Sequence, residues 1–269
     1  MRRSLGGLIL LVSGGFFALA ISSFWLERVS FSPEINTDSA YAILGDEDIQ
    51  RQIASVVAGA DAQELGLSPA DLQVLVTQVT RIREGATEMR VFTAAAHDKL
   101  IGGTEEPVVI TPSEQVQITR TERAAVLPAI TLPVQRVAAF DVLASITRWT
   151  TLVSLGLALL TLLLGVILRP ERGEFMFALG TGLMATGVGL ILFGYLIPTF
   201  VFPLISDDIW VGLFPSLATH RVTLTLAGGL GSIVLGAAVI LFTGGRRQRR
   251  QRSTPLAATR YREQRSWSN

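Results

Sequence analysis

Residues 149–168 read WTTLVSLGLALLTLLLGVIL, a run that contains no Asp, Glu, Lys, Arg or His. An α-helix of about 20 apolar residues crosses the roughly 30 Å of hydrocarbon in a bilayer. Residues 4–26, 175–201 and 222–243 form three further runs without those residue types. The sequence therefore predicts a membrane protein with four transmembrane helices.

The composition of the chain fits the same class. Of 269 residues, 49% are hydrophobic and 17% are charged, which is too apolar for an ordinary soluble domain. The chain has no cysteine, so disulfides, thiol catalysis and cysteine-ligated metal centres are excluded. The sequence contains no P-loop, nucleophile elbow or dinucleotide fingerprint, and we expect no cofactor.

The first apolar run has two interpretations. Arg2 and Arg3 precede it, and Ala18-Leu19-Ala20 is a small-x-small pattern of the kind cleaved in signal peptides. The run continues past that pattern to Trp25, a residue type that anchors spans at the interface. We expect a transmembrane helix over residues 1–26, with a cleaved signal peptide as the alternative.

The positions of arginine indicate the orientation, because basic flanks are retained in the cytoplasm. The link at 169–174 carries two arginines, whereas the link at 202–221 carries Asp207, Asp208 and one arginine. The tail at 244–269 carries eight arginines against one glutamate. We therefore expect both termini and the first link to be cytoplasmic and the second link to be external.

Residues 27–145 are long enough to form a domain, and the same orientation places them outside the cytoplasm. They hold 17 acidic and 9 basic residues. Ser68-Pro69-Ala70-Asp71 is a helix start, with an N-cap, a proline in the first turn and an acidic residue near the positive end of the helix dipole. The acidic turn Asp46-Glu47-Asp48 is a second start.

Three apolar stripes at helical spacing predict three packed amphipathic helices in this domain. The stripes are Ile49, Ile53, Val56 and Val57, ending near Gly59; Leu72, Leu75, Val76, Val79 and Ile82; and Met89, Phe92, Ala96 and Leu100. Residues 108–110 and 116–118 are predicted as short strands or extended pieces, and the chain is expected to become helical again from Val134.

The predicted fold is a membrane all-α protein with four transmembrane helices and a mainly helical extracytoplasmic domain, with minor β structure, between helices 1 and 2. Residues 146–243 hold the other three helices, and residues 244–269 form a basic, disordered cytoplasmic tail. All basic residues except Lys99 are arginine, which indicates a GC-rich bacterial genome. We expect a multi-pass protein of a bacterial plasma membrane.

The order of these features resembles that of a family of uncharacterised four-span actinobacterial membrane proteins. Local matches are Asn36-Thr37-Asp38 with Tyr41, the segment 92–97 followed by Leu100 and Gly102, and the segment 108–110. The resemblance covers most of the chain and implies one span, an external helical domain, three closely spaced spans and a basic tail. The family has no established activity, so the resemblance implies no catalytic residues.

Small residues within the spans predict faces where helix backbones approach closely. In the fourth span these residues are Gly228, Ser232 and Gly236; in the third they are Ala178 with Gly182 and Ala185 with Gly189. The faces pack either within the chain or against a partner or a second copy, and both interpretations stay open.

The arginines directly after the fourth span predict binding of anionic lipid headgroups, each adding about 1 kcal/mol near the surface. They are Arg246, Arg247, Arg249, Arg250 and Arg252. Since no aromatic residues are interleaved with them, we expect lipid and no nucleic acid as the partner of this segment.

Two histidines are candidates for chemistry outside the spans. His97 stands beside Asp98, but adjacent helical residues point about 100° apart, so a helix-end histidine with a solvated aspartate is the favoured interpretation. His220, Asp207 and Asp208 share the second external link, and together with His97 they have the ligand types of a divalent metal site. They lack recognisable ligand spacing, and their metal is unknown.

The spans contain no charged residue for a proton relay or an ion pathway. We expect a non-enzymatic protein of the cell envelope, a scaffold or accessory subunit that binds another envelope protein, or itself, through its external domain. One alternative is a transporter or channel subunit for a lipid or a small apolar solute. Another is a metal-dependent enzyme at the outer membrane face.

Overall fold

A computed structural model of the chain describes residues 2–168 and 172–252, with side chains described for 5–168 and 172–243. It is 81% helical with little sheet. Within these described residues, four helices are long and apolar enough to cross a membrane, which confirms the predicted number of spans. They are span 1 (Leu5–Phe31), span 2 (helix α8, Ala138–Ile167), span 3 (Arg172–Leu204) and span 4 (Val222–Thr243).

Spans 1 to 3 extend beyond their predicted apolar runs at the end that adjoins residues 32–137. In span 1, helix α1 (Arg2–Leu26) continues as a π-helical segment, Glu27–Phe31. In span 3, helix α9 (Arg172–Ile191) continues as a π-helical segment, Leu192–Val201, that contains Pro198. Proline lacks the N–H that an i→i−4 ladder needs, so the wider helical turns fit its position.

The spans form an open row rather than a closed bundle. Span 1 packs against spans 2 and 3, and span 4, the first part of helix α11 (Val222–Arg252), packs against span 3. Within the described residues, spans 2 and 4 make no extensive contact with each other. The order across the row is therefore 2-1-3-4, with spans 2 and 4 at its edges.

Glycines set the contact between spans 3 and 4. A Cβ on Gly236 would lie 2.5 Å from the Gly180 carbonyl oxygen, and a Cβ on Gly229 would lie 3.0 Å from the Gly187 carbonyl oxygen. Glycine is the only residue type without a Cβ, so only glycine at these positions lets the two helix backbones approach this closely. The contact face thus follows a spacing of seven residues, from Gly229 to Gly236, which is close to two turns of an α-helix.

This face differs in part from the predicted one. Gly236 lies in it and Ser232 is half-buried, but Gly228 is exposed. The physical reason is that a strict spacing of four drifts around a helix with 3.6 residues per turn. On span 3, Ala185 is likewise exposed.

The other small residues predicted on span 3 face span 1. A Cβ on Gly182 would lie 3.1 Å from the Cα of Gly14, and a Cβ on Gly189 would collide with the Ser22 hydroxyl. Ala178 is buried on the same side. These positions pack within the chain.

Residues 32–137 form six helices, a short 3₁₀ turn and two paired strands. The helices are α2 (Thr37–Ile43), α3 (Glu47–Leu65), α4 (Pro69–Thr80), α5 (Arg83–Glu88), α6 (Arg90–Leu100) and α7 (Pro112–Thr119), with the 3₁₀ turn at Glu122–Val126. Strands β1 (Val109–Ile110) and β2 (Ile130–Thr131) pair antiparallel, with Ile110 opposite Ile130. The predicted N-cap of α4 is confirmed, since the Ser68 hydroxyl accepts a hydrogen bond from the Asp71 amide at 3.1 Å.

One predicted helix end and one predicted extended segment in this region are wrong. Helix α3 continues past Gly59 to Leu65, where Gly66 adopts a left-handed conformation (φ 69°) and ends it. Residues 116–118 are helical rather than extended, because Thr111 and Glu114 form a capping box that starts α7. Local capping outweighs the strand preference of the β-branched residues there.

The link between spans 3 and 4 belongs to the same fold. It forms a 3₁₀ turn, Ile209–Gly212, and helix α10 (Leu213–His220). Its large side chains are fully buried in one hydrophobic core with those of residues 32–137; they are Trp210, Leu213, Phe214 and Leu217. We call residues 32–137 and 205–221 together the globular domain.

Candidate functional site at the junction of the globular domain and the spans

Four phenylalanines meet where the globular domain joins the spans. Phe31 ends span 1, Phe140 lies in the first turn of span 2, and Phe202 lies near the end of span 3. Phe214 lies in α10, just before span 4. His97 of α6 adds a fifth ring, and we call these five side chains, none more than 5% exposed, the aromatic junction.

Phe214 is at the centre of the aromatic junction. Its ring centroid lies 4.6 Å from that of Phe140, 5.0 Å from that of Phe202, and 6.2 Å from those of Phe31 and His97. Tilted and edge-to-face ring pairs at these distances are favourable beyond their buried area. Phe31, Phe140 and Phe202 belong to three different spans and Phe214 belongs to the globular domain, so this cluster ties the ends of spans 1, 2 and 3 to the globular domain.

His97 connects α6 to the end of span 1. Its Nε2 lies 2.8 Å from the carbonyl oxygen of Ser30, and since a carbonyl oxygen only accepts, Nε2 carries the proton and donates. Burial lowers the pKa of His97, although this hydrogen bond and the charge of Asp98 act in the opposite direction. The neutral imidazole thus satisfies a carbonyl group at a helix end, where intrahelical donors are lacking.

Polar contacts lie beside the aromatic junction, toward the spans. The indole Nε1 of Trp25 in span 1 donates to the Thr225 hydroxyl of span 4 at 3.0 Å. Arg148 of span 2 pairs with Glu27 of span 1 at 3.4 Å. The Arg148 side chain is exposed, so this pair adds little stability.

Asp208 joins the link after span 3 to the segment before span 2. Its Oδ1 accepts from the Trp210 amide at 3.0 Å, and its Oδ2 accepts from the Gln135 amide at 3.3 Å. The carboxylate therefore caps the 3₁₀ turn that carries the fully buried Trp210. The sequence made this residue one candidate ligand for a metal, whereas the structure shows its carboxylate accepting hydrogen bonds from two backbone amides.

The structure does not assemble the predicted metal ligands into one site. His97 is buried in the aromatic junction and Asp208 caps a turn, while Asp207 and His220 are exposed. Among the described residues, no three His, Asp or Glu side chains are grouped so that they can hold a metal ion. The arginines predicted to bind lipid headgroups, Arg246, Arg247, Arg249, Arg250 and Arg252, have side chains outside the described residues.

A buried carboxylate lies elsewhere in the globular domain, on α3. Asp61 is 2% exposed, and its Oδ2 has no hydrogen-bond partner among the described residues. Burial raises its pKa, because removing the group from water disfavours the charged form. Asp61 is not predictable as a site from its sequence motif, although it shares the buried face of α3 with Val57 and Leu65.

The phenylalanines of the aromatic junction are likewise absent from the residues predicted to form a site. A usable signal was present, since Phe31, Phe140 and Phe202 each lie within about three turns of a predicted apolar run. Large aromatic residues just beyond several spans indicate a common contact when those spans end at one surface. No single segment shows this pattern.

The aromatic junction is a packed, largely apolar contact between the globular domain and the spans. It combines apolar rings with one imidazole that is occupied by a hydrogen bond to the backbone.

A comparison of the chain with protein-family models, curated proteins and solved structures found no match.

Proposed function

We propose that this protein is a non-enzymatic integral membrane protein of the bacterial cell envelope. In this proposal it acts as a scaffold or accessory subunit that presents its globular domain to another envelope protein. The observation that carries the proposal is the aromatic junction, in which one buried core joins the globular domain to the ends of spans 1, 2 and 3. A domain on a flexible tether needs no such connection.

A fixed domain favours binding in two ways. Its orientation relative to the membrane is set before the partner arrives, so less conformational freedom is lost on association. It also holds any partner at a constant height above the bilayer. Both properties suit a scaffold or an accessory subunit.

The side of the membrane follows from the charges in this proposal. Arginine is concentrated in the 169–174 link and in the tail after span 4, at the ends of the spans remote from the globular domain. The positive-inside rule then places that side in the cytoplasm and the globular domain outside it. The excess of acidic residues in 27–145 agrees with this orientation.

Exposed valines offer positions from which to detect the partner. Val74 of α4, Val91 of α6 and Val126 of the 3₁₀ turn are 58%, 64% and 87% exposed. Isolated exposed apolar residues are normal on protein surfaces, so none of them alone defines an interface. They sample three elements of the globular domain without disturbing its core.

The test is photo-crosslinking in cells that make the full-length protein, with a photoreactive amino acid at Val74, Val91 or Val126. Leu160 of span 2 and Leu241 of span 4, which are 55% and 75% exposed, are the matched control positions. We expect a discrete adduct with one envelope protein from a position in the globular domain and not from the span controls. Adducts of the same pattern from all positions, or no adduct from the three valines, would contradict the proposal.

A further inference from the structure

A cleft opens on the globular domain beside the end of span 1. One wall is the second half of α6, and the other is the segment that leaves span 1. The apolar lining includes Phe31, Ile35 and Ile101, and the polar lining includes His97 and Asp98. These two adjacent residues of α6 therefore border the same space.

His97, which is 5% exposed, leaves one ring nitrogen for a ligand. Its Nε2 donates to the Ser30 carbonyl oxygen at 2.8 Å. Burial lowers the pKa of His97, so at pH 7.5 the ring is neutral and Nδ1 carries no proton. No hydrogen bond within the described residues uses Nδ1. This nitrogen can only accept a hydrogen bond, and the protein leaves it unused.

Asp98 adds a negative charge at the rim of the cleft. It is exposed, and within the described part of the chain it forms no salt bridge. Its carboxylate lies against the backbone of Gly103, because a Cβ on Gly103 would collide with Oδ1 of Asp98. Asp98 also lies in the last turn of α6, where the helix dipole favours a cation.

The other charged residues near the cleft leave it negative. Glu34 is exposed and lies between two lining residues of the segment after span 1. Lys99 follows Asp98, but adjacent helical residues point about 100° apart, and Lys99 does not line the cleft. Arg28, on the preceding turn of span 1, does not line it either. Arg136, near the end of α6, pairs with two carboxylates of its own.

We propose that this cleft binds a primary ammonium group carried on a short aliphatic stem. The ammonium donates to Nδ1 of His97 and to the carboxylate of Asp98, and the stem packs on the apolar lining. An ammonium has three diverging N–H donors and no acceptor, so it matches two acceptors on different parts of the lining. An anion would face the charge of Asp98 and an unprotonated nitrogen.

The proposal rests on the cleft alone and is independent of the partner-binding function. Two sources carry the same group, a free amine and a lysine side chain of a protein partner. Both would present an ammonium at the end of an aliphatic stem, so one probe serves for the chemistry that they share.

The experiment is a nuclear magnetic resonance titration of the full-length protein with ¹⁵N in its histidines only. The chain has two histidines, so the signals are those of His97 and of the exposed His220, which is the internal reference. The probe is n-butylammonium chloride at pH 7.5. Tetramethylammonium chloride, which has the charge but no N–H, is the control salt.

We expect n-butylammonium to move the Nδ1 signal of His97 in a saturable way, because this nitrogen begins to accept a hydrogen bond. His220 should not respond, and tetramethylammonium should leave both residues unchanged. A His97 signal that stays in place, or that moves equally with the two salts, would overturn the proposal.

Asp98→Asn tests the carboxylate, since it keeps the shape of the side chain and removes its charge. Binding of n-butylammonium should weaken about fivefold, as the loss of an exposed ion pair predicts. Asp207→Asn is the matched control, because Asp207 is exposed and does not line the cleft. Equal affinity of the two variants for n-butylammonium would overturn the proposal as well.

The partner adduct of the photo-crosslinking experiment distinguishes the two sources. If the ammonium belongs to a lysine of the partner, Asp98→Asn should lower the adduct yield about fivefold, in parallel with the titration. If it belongs to a free amine, the yield should stay the same while the titration weakens. The titration needs no partner, so it tests the cleft even where no adduct forms.

Discussion

The aromatic junction and the contact between spans 3 and 4 are packed by opposite means. At the junction, large rings fill the space between helices, and Phe140 and Phe214 are fully buried. Between spans 3 and 4, the absence of side chains at Gly180, Gly229 and Gly236 lets two backbones meet. Aromatic rings would not fit between the backbones of spans 3 and 4, and glycines would leave cavities at the aromatic junction.

The difference follows from the solvent on each side. In the globular domain, burying a ring removes apolar surface from water, which is strongly favourable. In the bilayer a leucine gains nothing by leaving lipid, so helix contact depends on close van der Waals packing. Removing a large side chain should therefore damage the junction, and adding a small one should damage the span contact.

Phe214→Ala should have the largest effect. It removes the central ring of the aromatic junction and leaves a cavity among three other phenylalanines, which costs about 3–5 kcal/mol in a packed core. Unfolding by denaturant in mild detergent measures this loss. Phe200→Ala is the matched control, since Phe200 is 59% exposed. Equal losses in the two variants would show that the junction is not a packed core.

Gly236→Ala should have the next largest effect. The added methyl would lie 2.5 Å from the Gly180 carbonyl oxygen, and overpacking of this kind costs about 1–3 kcal/mol. Gly231→Ala on the same helix is the control, because a Cβ there meets nothing within 4 Å. Thermal unfolding in detergent compares the two. If both alanines are tolerated equally, the contact between spans 3 and 4 is looser than the structure shows.

His97 should give the protein a dependence on mild acid. Its pKa is lowered in the fold, so below about pH 6.5 the unfolded chain takes up a proton that the folded chain does not. The free energy of unfolding then falls by up to about 1.4 kcal/mol per pH unit. Stability measured from pH 7.5 to 5.5 should show this fall, and His97→Gln should remove it.

His220→Gln is the control for this pH dependence, because His220 is exposed. The chain has only these two histidines, so the assignment is direct. A slope that persists in His97→Gln and disappears in His220→Gln would contradict the burial of His97.

Asp61→Asn should have the smallest effect, in the stabilising direction. Burial raises the pKa of Asp61 above its usual 3.8, so the folded chain keeps this proton to a higher pH than the unfolded chain does. The free energy of unfolding therefore falls as the pH rises from about 4 through that higher pKa. At pH 7 the variant should gain about 1 kcal/mol or less, roughly 2–4 °C in Tm. Below about pH 4 the variant and the parent should unfold alike. Glu64→Gln, on the exposed side of α3, should leave Tm unchanged at both pH values.

The sequence predicts the parts of this fold that depend on local signals. The four apolar runs locate the spans, and the Ser68-Pro69 cap locates the start of α4, because hydropathy and capping act within a few residues. A second local signal, a helix cap, explains why residues 116–118 differ from their predicted extended structure. The capping box at Thr111 and Glu114 makes residues 116–118 helical despite their β-branched composition.

The aromatic junction is not predictable in this way, because its members are up to 183 positions apart in the chain, from Phe31 to Phe214. Only the return of the 202–221 link onto the core brings Phe214 to Phe31 and Phe140. The register of the span contact is similarly non-local. The spacing of small residues predicts Gly228 as a contact position, whereas in the structure Gly229 is the glycine that approaches the backbone of span 3.

The central claim is that the globular domain and the spans share one core and move as one body. Since the chain has no cysteine, pairs of spin labels can be attached without removing native residues. The measurement is the distance distribution, by pulsed electron spin resonance in nanodiscs, between Val126 of the globular domain and Leu224 of span 4, which is 63% exposed. Val126 with Val74, both within the globular domain, provides the reference width. The account predicts equally narrow distributions for the two pairs, and a much broader one between Val126 and Leu224 would contradict it.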